Sequence, residues 1–217
     1  RNLAHEIKNP LGGIRGSAQL LERELDDPQL REYTQVIIAE ADRLQELMSR
    51  LLTSHRMMQP TQLNLHDVIE RVRRLILAEF PSIEVRRDYD TSLPSVTGDR
   101  EQLIQAILNV ARNAAQAMQG SGEIVMRTRA ARQVTLAKRR FKLAVQLQVI
   151  DNGPGIPDDI RDRIFYPLVS GRENGSGLGL SLAQSFIEQH QGAIEVESRP
   201  GRTCFTLFIP ITRETDA

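Results

Sequence analysis

The sequence predicts an α+β protein of two parts, an N-terminal helical hairpin followed by a mixed α/β sandwich. Residues 1–55 space their apolar side chains by three and four, as a helix does when one face is packed. The remaining chain mixes segments of helical period with segments that alternate apolar and polar residues. Two glycine-rich clusters, DNGPGIP at 151–157 and GSGLGLSLA at 175–183, interrupt this second part.

The composition limits the classes of partner. The 217 residues carry 28 basic and 28 acidic side chains, so the formal net charge is zero. Such a balance gives no general attraction to nucleic acid or to an anionic membrane, and we expect neither as a partner. Cys204 is the only cysteine, which excludes an internal disulfide and fits a reducing, cytoplasmic compartment. The chain begins at Arg1, only a few residues before the string HEIKNP, which is rich in side chains that could react. We therefore expect a fragment without its sensing module.

The first part, 1–55, should form two helices joined by the turn signal Asp26–Asp27–Pro28. Their apolar seams are Ala4, Ile7, Leu11, Ile14, Ala18, Leu21 and Leu25, and Leu30, Thr34, Ile37, Ala41, Leu44, Met48 and Leu51. One hairpin has too little core to stand alone, whereas two related by a two-fold axis make a four-helix bundle. We therefore expect a homodimer through this hairpin. The alternative is a hairpin that packs only on the rest of its own chain.

A linker at 56–61 should lead into the second part, 62–217. Because its helices and strands do not alternate regularly, we expect an α/β sandwich with the helices on one face of a sheet. The basic stretch 131–140, ARQVTLAKRR, should be an exposed loop. The expected helices cover 64–80, 99–120 and about 180–190, and the expected strands cover 82–90, 122–130, 141–151, AIEVES and TCFTLFIP.

The second glycine cluster suggests a phosphate site. A glycine-rich turn that opens a helix presents free N–H groups and the positive end of the helix dipole. The string matches neither the P-loop nor the G-x-G-x-x-G dinucleotide motif, and by itself it is also common in flexible loops.

Two asparagines make the prediction more specific. Asn109 and Asn113 are four residues apart on the 99–120 helix, so both side chains leave one face. Amide oxygens can coordinate a hard divalent cation that already bridges phosphates. Helical asparagines are otherwise solvent-exposed or locally hydrogen-bonded. Their occurrence beside two glycine clusters favours the ligand role.

The trio N-x-x-x-N, D-x-G-x-G and G-x-G-L-G resembles the GHKL (Bergerat) ATP-binding fold of histidine kinases, gyrase-type ATPases, Hsp90 chaperones and MutL. The resemblance covers about 61–211, and IFYPL and GRTCFTLFIP are similar to later motifs of that domain. It implies ATP and Mg²⁺ as ligands. Asp151 would accept from the adenine amino group, and the further contacts implied are Gly153, Gly155, Asn109, Asn113, Arg172, Gly175, Gly177 and Gly179. Of these, Asn109 and Asn113 would hold Mg²⁺.

The first asparagine distinguishes between members of that superfamily. Members that hydrolyse ATP have a glutamate there as the general base for water. Asn109 cannot take a proton at neutral pH, so the phosphoryl group should go to another acceptor.

The N-terminal string HEIKNP supplies that acceptor, since it resembles the H-box of HisKA-type sensor histidine kinases. The resemblance implies phosphorylation of His5 with help from Glu6, and transfer to an NtrC-like response regulator. Asn9 would serve in removing the phosphoryl group from that regulator. Longer strings such as AHEIKNPLGGIRGSAQLL resemble the nitrogen-regulation kinases, which adds a PII-type protein as a candidate partner. The alternatives are a GHKL ATPase that releases phosphate and a degenerate kinase that acts as a dimeric docking scaffold.

Overall fold

The structure, a computed structural model, describes residues 2–54, 58–169 and 177–211. The chain divides into two compact units, Arg1–Arg56 and Met57–Ala217. The linker predicted at 56–61 lies partly outside the described residues, and a strand already begins at Thr61. In the described ranges, none of the helices has the length and apolar character needed to cross a membrane.

The first unit is the predicted helical hairpin. Helix α1 spans Asn2–Glu24 and α2 spans Pro28–Ser54, so the turn predicted from the sequence is confirmed. Pro28 is the first residue of α2, where its missing N–H removes no helical hydrogen bond. The Asp27 Oδ1 caps α2 by accepting the Gln29 N–H at 2.9 Å. Pro10 lies inside α1, which nevertheless continues for fourteen residues beyond it.

Among the seam residues whose burial is described, the small ones are buried and most of the large ones are exposed. Ala18, Thr34 and Ala41 are buried between the two helices. By contrast, large apolar side chains at other seam positions are 40–52% exposed. These are Ile14, Leu21, Leu30, Ile37 and Leu44. One hairpin therefore leaves part of its apolar stripe without cover, as expected if a second layer of helices packs there.

The second unit combines a five-stranded sheet, in the order β2-β4-β5-β7-β6, with a layer of helices. Strands β2 and β4 are parallel, and the other neighbours are antiparallel. Helix α4 packs against both α3 and α6, which places the three long helices side by side on the sheet. The bounds are β1 Thr61–Leu63, α3 Leu65–Glu79, β2 Ile83–Asp88, β3 Val96–Gly98, α4 Arg100–Ala117, β4 Gly122–Leu136, β5 Arg139–Asp151, α5 Asp158–Arg161, α6 Gly179–Gln189, β6 Ala193–Arg199 and β7 Arg202–Pro210.

This architecture confirms the predicted α/β sandwich and its main helices and strands. The core lies between the helical layer and the sheet. Its largest fully buried side chains come from every layer and include Ile69, Ile76, Leu103, Ile107, Ile124, Met126, Leu147, Phe186 and Leu207. Two short strands, β1 and β3, pair antiparallel beside this sheet and were not predicted.

The prediction of a loop at 131–140 is wrong. Strands β4 and β5 continue through this stretch as one antiparallel hairpin, which pairs Arg132 with Leu143 and Leu136 with Arg139. Its two-residue turn places Ala137 and Lys138 at φ 45° and 66°, the left-handed conformation that matches the twist of a tight hairpin. Most side chains of the stretch are exposed as expected, but the buried Leu136 anchors the ladder.

The start of α4 is held by two buried polar side chains. The Asp99 Oδ1 accepts the N–H groups of Glu101 and Gln102, so the predicted cap is confirmed. The N–H of Asp99 donates to the Nε2 of His190 at 2.9 Å, and the opposite ring nitrogen, Nδ1, lies 2.7 Å from the Phe186 carbonyl oxygen. The ring is therefore neutral with its proton on Nδ1. His190 thereby connects the end of α6 to the start of α4.

Burial lowers the pKa of His190 from its usual value of 6.5. As the pH falls below about 6.5, the unfolded chain therefore binds a proton before the folded chain does. The stability contributed by neutral His190 is complete above that pH and decreases below it. His190→Gln keeps an acceptor but does not titrate, so its free energy of unfolding should vary less with pH between about pH 5 and 6.5. Urea unfolding of both proteins at several pH values measures this, and parallel curves would contradict it.

Candidate functional site

The candidate site runs along α4 between the end of β5 and the start of α6, and we call this region the cleft. Helix α4 carries both asparagines along it. Asn109 is 7% exposed, and its Oδ1 accepts from the Nε2 of Gln105 at 3.2 Å. Within the described ranges, its Nδ2 is buried without a hydrogen-bond partner. A buried amide nitrogen without a partner is costly to a fold, so it marks a place where a ligand can supply an acceptor.

The start of α6 lies over these asparagines. A Cβ added at Gly179, the first residue of α6, would lie 3.9 Å from the Asn109 Cβ and 3.9 Å from the Asn113 Nδ2. No side chain caps this helix end in the described part of the chain. The first N–H groups of α6 are thus open to an anion close to both amides.

Gly177, two residues before α6, has a positive φ, which glycine adopts much more readily than other residues. Its φ is +64°, and an added Cβ would lie 2.5 Å from the carbonyl carbon of Leu168. The Gly177 carbonyl also accepts the Leu168 N–H at 3.0 Å. A side chain here would have to displace backbone, so Gly177 allows the two segments to cross.

The opposite end of the cleft is formed by Asp151 at the end of β5. Asp151 is 4% exposed, and its Oδ1 accepts the Gly153 N–H at 2.9 Å. Burial raises the pKa of Asp151, and this hydrogen bond opposes the shift. A Cβ on Gly153 would come within 2.8 Å of that Oδ1, and Gly155 turns the chain at φ +90° against the Arg199 backbone. The segment D-x-G-x-G is therefore a tight turn around a buried acceptor.

One helix links the two ends. Gly153 faces Met118 and Ala117 at the end of α4, whereas Gly179 faces Asn109 and Asn113. The eight residues from Asn109 to Ala117 rise about 12 Å along the helix. The cleft therefore suits an extended ligand with a hydrogen-bond donor at one end and an anionic group at the other.

The remaining predicted site residues are placed only in part. Arg172 and Gly175 lie outside the described residues. His5 and Glu6 belong to α1, but their side chains lie outside the described part of the chain. Asn9 is exposed on the same helix, one turn after His5.

Two residues that support the cleft were missed from the sequence. Gln105 bonds Asn109, and the four-residue spacing of the two amides could have indicated this contact. His190 bonds the backbone of Asp99, and no local pattern predicts a partner 91 residues away.

Comparison with known proteins identifies the family. The model for the histidine kinase-, DNA gyrase B- and HSP90-like ATPases matches residues 98–213. The model for the His kinase A (phospho-acceptor) domain matches residues 1–60. The chain therefore belongs to this ATPase family, and its first 60 residues match the phospho-acceptor domain, as the sequence motifs predicted.

One curated relative and two solved structures show which members of the family this chain is similar to. The sensory histidine kinase/phosphatase NtrB of Vibrio alginolyticus is 53% identical over 98% of this chain and 62% of the relative. The chain thus spans less than two thirds of the curated relatives that it matches. Full-length ShkA in complex with AMPPNP has a TM-score of 0.69 and 26% identity over 95% of this chain and 44% of its own. The histidine kinase ThkA in complex with the response regulator protein TrrA has a TM-score of 0.65 and 28% identity over 99% of this chain and 61% of its own.

Two alanine substitutions test the backbone requirement of the cleft. Gly177→Ala forces a side chain into a positive-φ position against the Leu168 backbone, whereas Gly179→Ala meets only ordinary contact distances of 3.9–4.0 Å. We expect Gly177→Ala to lower the stability of the second unit by at least about 1 kcal/mol. A loss of 1 kcal/mol lowers the melting temperature by about 2–4 °C in a unit of this size. Gly179→Ala is the matched control and should melt near wild type in calorimetry. Equal melting of both variants would contradict the assignment.

Proposed function

We propose that this chain is the catalytic core of a nitrogen-regulation sensor kinase that phosphorylates His5 from ATP. It then passes the phosphoryl group to an aspartate of a response regulator and also removes it from that aspartate. The observation that carries this proposal is the meeting of Asn109 and Asn113 with Gly179 at the uncapped start of α6. The 53% identity to a sensory histidine kinase/phosphatase supports both activities.

Asp151 would select the adenine. Its buried carboxylate already accepts one backbone N–H and has further lone pairs for the exocyclic amino group of the base. Gly153 and Gly155 would let the backbone approach the base, because side chains at either position would collide with neighbouring atoms. The AMPPNP complex of the structural relative ShkA supports a nucleotide in this fold.

Asn109 and Asn113 would hold Mg²⁺ together with the phosphates. The donor set fits such a group, since carboxamide oxygens can ligate Mg²⁺ and the unbonded Asn109 Nδ2 can donate to a phosphate oxygen. Bound Mg²⁺ would neutralise charge on the phosphates. The N–H groups at the start of α6 would bind the phosphate oxygens, with Gly175, Gly177 and Arg172 as further contacts.

His5 would act as the nucleophile. One imidazole nitrogen attacks the γ-phosphorus, so an N–P bond forms as the bond to the bridging β–γ oxygen breaks and ADP leaves. Glu6 would accept the N–H of the other ring nitrogen and stabilise the positive charge that develops. The phosphoryl group then moves from nitrogen to a carboxylate oxygen of the regulator.

The proposed partners follow from the first unit. The exposed apolar stripe of α1 and α2 would pair with a second copy of this chain. The complex of ThkA with the response regulator protein TrrA supports a receiver domain as partner. The resemblance to NtrB adds a PII-type protein as a further candidate.

The central test is incubation with γ-labelled ATP and Mg²⁺. Wild type should acquire an acid-labile, base-stable label, and His5→Gln should acquire none, because its amide is not a nucleophile for this transfer. His66→Gln, in a different element of the chain, is the matched control and should keep the label. Label that persists in His5→Gln contradicts the assignment. Release of free phosphate without labelled protein would instead support the ATPase alternative.

Asn9→Ala should separate the two activities. The Asn9 amide would orient the water that attacks the aspartyl phosphate, so its loss should slow dephosphorylation of the regulator about 10²-fold. Autophosphorylation of His5 should remain near wild type, because the amide has no part in that transfer. Phosphate release from labelled regulator and label on this chain are measured in parallel. Ser17→Ala, an exposed position of the same helix, is the control. Equal loss of both activities would show that the roles are not separate.

A further inference from the structure

Helix α4 carries a pair of carboxamides at the proposed phosphate end of the cleft. Gln105 and Asn109 lie one helical turn apart, and the Gln105 Nε2 donates to the Asn109 Oδ1 at 3.2 Å. In the described residues the Asn109 Nδ2 is buried with no partner. The Asn109 amide therefore has one satisfied end and one donor that nothing in the fold accepts.

The start of α6 lies against this amide. The nearest side-chain atoms that a Cβ at Gly179 would meet are the Cβ and Cγ of Asn109 and the Nδ2 of Asn113, all at 3.9–4.0 Å. Glycine at the start of α6 contributes no side chain that could bond the Asn109 amide. The unbonded Nδ2 is thus the donor that an incoming ligand would have to reach and satisfy.

A carboxamide pair can exchange donor and acceptor without repacking. The oxygen and the NH₂ group of an amide are nearly equal in size, and one accepts while the other donates. If both amides rotate by half a turn, the Asn109 Nδ2 donates to the Gln105 Oε1 and one hydrogen bond is kept. The Asn109 Oδ1 then occupies the position that the Nδ2 held, and no proton changes its heavy atom.

We propose that Gln105 is a positioning residue that sets the orientation of the Asn109 amide to match the ligand in the cleft. With phosphate alone, the Asn109 Nδ2 faces a phosphate oxygen. With a divalent cation, the Oδ1 faces the metal and Gln105 accepts from the Nδ2. The inference rests on the proposed function, because it assumes that phosphate and cation bind at this end.

Glutamine suits this role better than a charged residue of similar length. A carboxylate at position 105 would only accept at neutral pH, and it would hold the Asn109 oxygen toward the cleft whether or not a cation is present. A lysine or arginine would only donate and would hold the nitrogen there. Gln105 offers both kinds of group to the same neighbour.

The test measures AMPPNP binding to this chain by calorimetry, once with Mg²⁺ and once with EDTA. The readout is the ratio of the two dissociation constants. Gln105→Lys can only donate and holds the Asn109 nitrogen toward the ligand, so the Mg²⁺-dependent gain in affinity should shrink about fivefold, the effect of one hydrogen bond. Gln105→Glu should keep Mg²⁺-dependent affinity and weaken binding in EDTA, which raises the ratio.

Two controls separate positioning from other effects. Gln116→Glu and Gln116→Lys make the same changes at an exposed position about 16 Å further along α4 and should leave the ratio near wild type. In an Asn109→Ala background, Gln105→Lys should change the ratio much less, because the amide that it orients is absent. Thermal melting shows that each variant is folded. A purely structural role would lower stability, or both affinities together, without this coupling.

The outcomes are distinguishable. If wild type binds AMPPNP with Mg²⁺ dependence but Gln105→Lys leaves the ratio unchanged, the inference is overturned and the proposed function is not. An equal change of the ratio in the Asn109→Ala background also overturns the inference alone. Wild type that binds no AMPPNP in either condition overturns the proposed function, and the inference with it.

Discussion

The antiparallel contact of α4 with α6 is the constraint on which the cleft depends. It is fixed at both ends. At one end the Nε2 of His190 accepts the N–H of Asp99, and Gly98 makes room because a Cβ there would lie 2.8 Å from the imidazole ring. At the other end the start of α6 rests on Asn109 and Asn113. A shift of one helix along the other would break the first contact and move the uncapped N–H groups away from both amides.

Backbone builds most of the remaining cleft. Where side chains would ordinarily fill the space, glycines allow Gly153 to pack on the end of α4 and Gly177 to cross Leu168. Two of its described polar side chains, Asp151 and Asn109, are buried, so each one determines what can bind beside it. Asp151 requires a donor, and the Asn109 amide requires a ligand that satisfies its free end. A rigid backbone frame with few buried polar groups is typical of a site that selects its ligand by orientation.

The sequence predicted the regular parts of this fold because their signals are local. Helical period identified α3 and α4, alternation identified β5, and the Asp99 cap marked a helix start that the structure confirms. The β4–β5 hairpin was missed beyond residue 130 because its tip is polar and turns through Ala137 and Lys138 without the usual glycine or asparagine. There the ladder and the buried Leu136 outweigh the local preference of the residues.

The residues of the candidate site also fall into those that the sequence predicted and those that it did not. Motif spacing placed Asn109, Asn113 and Gly179 in one site, and the structure brings these three together. The residues that support them were not predicted, because their contacts join distant segments or amides of unremarkable type. His190 meets Asp99 only when α6 folds back along α4, and Gln105 differs from any other helical glutamine only in its neighbour.

The chemistry of the asparagines explains why the proposed transfer needs two units. An amide cannot take a proton at neutral pH, so Asn109 can bind a phosphate or a cation but cannot activate water as a carboxylate would. The buried carboxylate of Asp151 lies at the opposite end of the cleft. The helical segment of α4 that separates it from Asn109 is about 12 Å long. In the proposed function, the described residues of the second unit thus hold ATP without supplying a base for water at the phosphate end. The nucleophile and its proton acceptor would be His5 and Glu6 of α1. The stability of bound ATP and the reactivity of His5 can then be adjusted separately, which is what a kinase under signal control requires.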